Sequence, residues 1–308
     1  MLPLGGFEGK TVIITGANGM LGRAFAQALE PFGARVVGLS RSELDVTDRA
    51  RVLRCATLGP DVILHCAAMA LADECERDPA RAREVHYDGP RTVAQLALST
   101  GARVFYPQSV FVFDGTELPV TEQTVPAPRL VYGTVKLMAE RFLLDHVPGA
   151  LSVRLAGFFG GDEKDKNFVG QFVRQLREML RTGQSHVEVG DRIWQPSYTL
   201  DHARNVLLLL SRHKSGIYHM GAIGEATFHD VATECVRALG LADTIDVGHR
   251  PPDVVSVGEV AARPSRMVTA NRRLEREGLS LQRSWRDALH EYLQRPHFDD
   301  LRRVAKPA

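Results

Sequence analysis

The apolar run Thr11-Val12-Ile13-Ile14 leads into TGANGMLGRA, which sets Gly16, Gly19 and Gly22 at intervals of three. Glycine costs backbone entropy, so three of them where a strand gives way to a helix need a reason. Two reasons are open. One is a tight turn and nothing more. The other is a ligand that presses against bare backbone. A helix N-terminus offers unpaired N–H groups and the positive end of its dipole, and both favour an anion. On that reading Gly16 permits the turn, Gly19 admits a pyrophosphate and Gly22 brings helix and strand together, with Asn18, Met20 and Leu21 filling the cradle. The motif carries weight only with a strand before it, a helix after it and a βαβ unit around it. All three are present.

The first half of the chain alternates β-rich runs with helix-period segments. KTVIITG reads as a strand and LGRAFAQALEPFG as a helix stopped by Pro31 and Gly33. ARVVGLS is a second strand, TDRARVLRCATLGP a helix with Thr47 as its expected N-cap, and DVILHCAA a third strand. GPRTVAQLALSTG, ARVFYPQSV, LVYGTVKLMAERFLLDH and ALSVRLAG continue the alternation. This rhythm predicts an α/β fold: a Rossmann-type, doubly wound parallel sheet with helices on both faces. After Gly157 the rhythm loosens, and the stretch HRPPDVVSVGEVAARPS reads as an irregular binding loop. The expected organisation is a nucleotide-binding domain of residues 1–157 with about 191–222. A smaller discontinuous substrate domain takes about 158–190 with 223–295, and 296–308 form a tail.

Bulk properties exclude several classes. A net charge of +1 over 308 residues gives no field that would draw nucleic acid or an anionic membrane. No apolar segment nears the roughly 20 residues of a membrane span. The start of the chain lacks the regions of a signal peptide. The four cysteines, Cys55, Cys66, Cys75 and Cys235, form no CxxC pair, so a reduced, cytoplasmic setting is expected. Histidines such as His65, His86 and His219 are scattered, and no metal is expected.

At the end of the second strand, an acid would bond a ribose 2′-hydroxyl whereas an arginine would pair with a 2′-phosphate. Arg41 stands there behind Ser40, which favours NADP(H) over NAD(H); the other reading is an ordinary surface arginine. YGTVK sets Tyr132 and Lys136 four apart on one helix face. A phenol with an ordinary pKa of about 10 is a poor acid near neutrality, and an adjacent ammonium lowers that value. Such a pair is often structural. Ser109, at the end of a strand in the same sheet, gives it a chemical sense: a carbonyl oxygen held between hydroxyl and phenol could receive a proton.

With TGANGMLGRA, the CAA after the third strand, the serine and Y-x-x-x-K in place, the chain resembles an extended short-chain dehydrogenase/reductase. It is most similar to the dTDP-4-dehydrorhamnose reductases through LDVTD (44–48), VFDG (112–115), YGTVKLMAE (132–140), NFVGQFVR (167–174), DRIWQPSYTLDHA (191–203) and RPSRMV (263–268). The resemblance spans nearly the whole chain in the family's order. It implies an oxidoreductase that passes hydride from a nicotinamide cofactor to the C4 ketone of a nucleotide-linked 6-deoxysugar. Tyr132 would be the proton donor, Lys136 would bind the nicotinamide ribose, and Ser109 would fill the family's Ser/Thr position. Asp45 and Val46 would lie near the adenine, and Ala67 and Ala68 along the cofactor. Asn167, Phe168, Arg192 and Arg263 would face the sugar nucleotide.

Departures bear on the sugar. Where the family usually reads S-T-D-Y, this chain has Gln108, Ser109, Val110 and Phe111, which puts Val110 at the sugar-facing position. A family tryptophan position holds Gly157, and NAA has become CAA. A different keto-sugar is therefore favoured over the rhamnose precursor. A non-catalytic alternative has the same fold: the NADP-binding regulatory β subunit of methionine adenosyltransferase. An epimerase or dehydratase would need further acids or bases, and QSV offers no carboxylate. The acidic run ADECERD (72–78) reads as a solvated helix face, and a homodimer is the assembly considered.

Overall fold

The computed structural model describes residues 6–250 and 260–304. All five residues of β1 (Thr11–Thr15) are buried, as suits a parallel strand covered on both faces. α1 (Met20–Leu29) stops where Glu30–Phe32 tighten into a 3₁₀ turn and Gly33 takes φ +62°. Then come β2 (Arg35–Leu39), α2 (Arg49–Arg54), β3 (Val62–His65), α3 (Ala72–Arg77) and α4 (Pro79–Arg83). A π-helical turn at Glu84–Asp88 joins α4 to α5 (Gly89–Thr100), and β4 (Arg103–Ser109), α6 (Val131–His146) and β5 (Leu151–Leu155) follow. One local expectation changes. The N-cap of α2 is Asp48, whose carboxylate accepts from the Arg51 N–H at 3.0 Å, while the Thr47 hydroxyl turns to Asp45 at 2.7 Å.

The second half supplies β6 (Phe158–Phe159), α7 (Phe168–Thr182), β7 (His186–Val189), β8 (Ile193–Trp194), β9 (Ser197–Tyr198) and α8 (Thr199–Ser211). It continues with β10 (Gly216–Met220), β11 (Ala226–Thr227), α9 (Phe228–Ala238), β12 (Asp246–His249), α10 (Arg272–Arg276), α11 (Trp285–Leu293) and α12 (Asp299–Val304). Six strands form one parallel sheet in the order β10-β5-β4-β3-β1-β2. β2 and β3 flank β1 on opposite sides, so the winding reverses there, and open α/β sheets bind ligands at such a reversal. The glycine turn leaves β1 at that point.

Alternation along β1 sends Val12 and Ile14 into one apolar cluster and Ile13 into another on the opposite face. The first cluster runs unbroken from Phe25 of α1 through Leu207 of α8 to Leu176, Val231 and Trp285 of the smaller lobe. That lobe is built from α7, the parallel pair β7–β12, α9 and α11. Of the proline-rich stretch 249–265, positions 251–259 lie outside the described residues, as do positions 305–308; the rest of the expected tail is folded, with Phe298 and Leu301 buried in the first cluster.

Candidate active site

The three glycines differ in what they do. Gly16 has φ +64°, and a Cβ there would lie 2.8 Å from the backbone of Ala67 where the chain leaves β3. A Cβ on Gly22 would meet the Gly16 carbonyl at 2.5 Å. Both are demanded by close backbone approach. Gly19 is exposed, and a Cβ on it would meet only the Gly16 carbonyl, at 3.2 Å. Asn18 beside it is exposed too, Met20 is half-buried, and Leu21 turns into the core. No side chain caps α1, and no acid stands in its first turn. The helix start is thus an open anion receptor, and these residues fit a dinucleotide pyrophosphate.

Beyond β2, Arg41 is 80% exposed, and its Nε lies 3.8 Å from Asp45 Oδ2, beyond hydrogen-bonding distance. Glu43 folds back so that its carboxylate accepts from the Ser40 N–H at 2.8 Å and the Ser40 hydroxyl at 2.6 Å; these two bonds hold it below the usual carboxylate range. Asp45 accepts from Thr47 and, at 3.0 Å, from Arg81 of α4, and Val46 is buried against Gly89. The Ala67 N–H bonds the Thr15 hydroxyl at 3.2 Å, and His86 grips Met69 through Nε2, so Ala67 and Ala68 are held between two fixed points along the sheet edge.

Ser109 ends β4, and its Oγ accepts from the Phe111 N–H at 3.1 Å. Ser109 also stands near enough to the Tyr132 phenol to lower its pKa. The buried Gln108 amide locks this arrangement: Nε2 donates to the Lys136 carbonyl and Oε1 accepts from the Ser109 N–H, both at 2.9 Å. Gly133 explains the Y-G of the motif. A Cβ there would stand 2.1 Å from the Phe111 carbonyl, so only glycine lets α6 approach so closely. The Glu76 carboxylate accepts from the Val131 N–H at 2.7 Å and tethers the start of α6 to α3.

Lys136 is buried beneath Tyr132. Its Nζ donates to the Pro107 carbonyl and lies 4.4 Å from the Tyr106 ring centroid and 5.7 Å from that of Tyr132. Burial pulls its pKa down to about 8, opposed first by the Glu140 carboxylate. Glu140 itself is fully engaged with Arg154 at 2.7 Å and Ser152 at 2.7 Å. Burial pushes the Tyr132 phenol above its ordinary value, and Ser109 pulls the other way. The lowered phenol expected beside an ammonium is therefore not found, because burial is the largest influence on it. A phenol kept protonated is a proton donor. His86, whose ring stands edge-on to Tyr132 at 5.2 Å, was not legible as a site residue; the π-helical turn carries it there.

On the sugar side the expectations divide. Val110 requires correction: it lies in the 3₁₀ turn Val110–Val112 and packs with Val112, Phe113 and Leu137, 4% exposed, so it offers a ligand nothing. Phe111 is the residue of that segment that reaches Tyr132, at 6.5 Å between ring centroids. Asn167 caps α7 in position, but its side chain donates to the Phe158 carbonyl at 2.6 Å. Phe168 joins an aromatic group with Trp194 and Phe228. Arg192 is partly buried just before β8, and its carbonyl accepts from the Phe228 N–H at 3.1 Å. Arg263 pairs with Asp73, which also accepts from the N–H groups of Val260 and Ala261 at 2.8 Å. The acidic run on α3 is thus no plain solvated face: Asp73 pins the segment 260–263, and Ala261 packs beside Phe111 and Tyr132. Among the described residues, no group of three or more His, Cys, Asp or Glu is placed to hold a metal ion, and no helix is long and apolar enough to cross a membrane.

Residues 10–297 match the RmlD substrate binding domain family. The chain is 35% identical over 288 residues to a dTDP-4-dehydrorhamnose reductase of Streptomyces griseus, covering 91% of each sequence. It is 34% identical to a dTDP-4-keto-6-deoxy-D-glucose reductase of Streptomyces niveus, covering 90% of this chain and 94% of that one. Its fold is similar, with a TM-score of 0.82 and 27% identity, to a dTDP-4-dehydrorhamnose reductase of Bacillus anthracis solved in complex with NADP; 92% of this chain and 99% of that one are covered.

Proposed function

This chain belongs to the RmlD substrate-binding domain family, and from that premise we propose that it is an NADP(H)-dependent reductase of the C4 ketone of a nucleotide-activated 6-deoxysugar. The observation that carries this reading is the Lys136 ammonium 5.7 Å from the Tyr132 ring, with Gln108 tying the Lys136 carbonyl to the Ser109 N–H, at the sheet edge onto which the glycine turn opens. Gly16, Gly19 and Gly22 would hold the dinucleotide phosphates, with Ala67, Ala68 and the backbone of Asp45 and Val46 along it. When bound, the nicotinamide supplies a hydride to the carbonyl carbon. Tyr132 and Ser109 both donate hydrogen bonds to the carbonyl oxygen. As that oxygen becomes an alkoxide it takes the phenolic proton, and the Lys136 charge stabilises the phenolate left behind.

The preference for NADP(H) is supported by Arg41, whose exposed guanidinium has only a distant partner in Asp45 and can turn to a 2′-phosphate. The relatives named for dTDP sugars support a dTDP-linked substrate. The smaller lobe, 158–190 with 223–295, would cover it, and cytoplasmic residence and a homodimer complete the proposal. The test is NADPH oxidation by the purified chain with a panel of dTDP-4-keto-6-deoxysugars. Turnover with at least one is expected. No oxidation with any, alongside intact NADPH binding, would leave the non-catalytic regulator as the reading.

A further inference from the structure

Gly157 and Trp194 are fitted to each other. A Cβ on Gly157 would stand 2.6 Å from Cε3 and 3.1 Å from Cζ3 of the Trp194 ring, so the indole fills the space a side chain at 157 would take. Gly157 follows β5 by two residues, and β5 pairs with β4 so that Leu155 lies beside Ser109. The indole is thereby brought to the sheet edge that carries the Ser109 hydroxyl, on the side of the smaller lobe. Phe168 stands edge-on to it at 6.4 Å and Phe228 at 5.5 Å, and these two rings stack on each other at 4.5 Å.

Trp194 is only 9% exposed, yet its Nε1–H finds no acceptor among the described residues. An indole nitrogen is a donor only, and burying it without a partner forfeits its bond to water. Packing alone gives no reason for that N–H, since a phenylalanine would complete the aromatic trio without it. A ring that is apolar on its face and polar at one edge suits a sugar, which has an apolar C–H face and oxygens around its rim.

We propose that Trp194 is a binding residue for the hexose of the sugar nucleotide, its Nε1–H edge turned to a sugar oxygen. This rests on the reading of the chain as a nucleotide-sugar reductase and names the part of the substrate that Trp194 sees. The test is calorimetric titration of the full chain with dTDP-glucose, dTDP and NADPH. Trp194→Phe keeps a ring and removes the donor; Gly157→Ala keeps the donor and displaces the ring. Each is expected to weaken dTDP-glucose by roughly 5- to 10-fold while dTDP and NADPH stay within about twofold. Unchanged dTDP-glucose affinity in Trp194→Phe, or equal losses for dTDP and dTDP-glucose, would overturn the assignment. If the wild type oxidises NADPH with a keto-sugar while both variants bind dTDP-glucose normally, Trp194 alone is wrong. A wild type that binds neither dTDP nor dTDP-glucose would instead overturn the underlying reading.

Discussion

Lys136 holds a charge where charge is expensive. Its ammonium is buried between Tyr106, Tyr132 and the Pro107 carbonyl, with Glu140 one turn away as the nearest carboxylate support. Burial disfavours the protonated form, so the amine loses its proton as pH rises through about 8. The phenol, pushed up by the same burial, keeps its proton to higher pH. The kcat/KM for reduction is therefore expected to hold below about pH 8 and to fall above it, as the charge that stabilises a developing phenolate disappears. A profile level to pH 10 would show that this charge is not used. Ser109, Tyr132 and Lys136 were legible because their side-chain types and four-residue spacing already state a chemistry. Gln108 and His86 were not, because their partners lie 28 and 17 positions away and only the folded chain brings them in. Val110 departs from its expected place because a 3₁₀ turn directs its side chain inward where an extended strand would have shown it to the ligand.

Among the elements, α6 matters most, and its position depends on one contact. With 2.1 Å between a Cβ on Gly133 and the Phe111 carbonyl, Gly133→Ala must move backbone, because no rotamer relieves a Cβ clash. Alanine would gain up to about 1 kcal/mol in helix propensity, against roughly 1–3 kcal/mol for overpacking. The clash wins. Urea denaturation is expected to show a less stable variant, together with reduced turnover because Ser109 and Tyr132 are pushed apart; a variant as stable as the wild type would contradict this packing. Element order and the Gly33 stop followed from periodicity and turn chemistry. The α2 cap did not, since Thr47 and Asp48 are both cap-forming residues and Asp45 claims the threonine hydroxyl. Nor did the role of α3, because carboxylates bonded to N–H groups 55 and 187 positions away read in sequence as solvated acids.

At the scale of the molecule, the larger sheet and the smaller lobe share one apolar cluster, from Val12 to Leu293. The sheet has a second cluster on its other face, but α7, α9 and α11 of the smaller lobe bury their apolar residues only in the shared one, so the chain is expected to unfold as a single cooperative unit. Tryptophan fluorescence reports Trp194 and Trp285, and far-UV circular dichroism reports every helix; their urea transitions should coincide. Two separated transitions would mean that the lobes fold independently. The doubly wound sheet was legible from strand–helix alternation, whereas the shared core was not, because helices after Gly157 contact strands far behind them in sequence.

In the proposed reaction the Tyr132 phenol delivers the proton to the reduced carbonyl, and Tyr132→Phe takes that proton away. Removing one oxygen spares the glycine turn, so NADPH affinity is expected to stay within about twofold while NADPH oxidation with the accepted dTDP-4-keto-6-deoxysugar falls on the order of 10²-fold or more. Unchanged turnover in that variant would contradict the account.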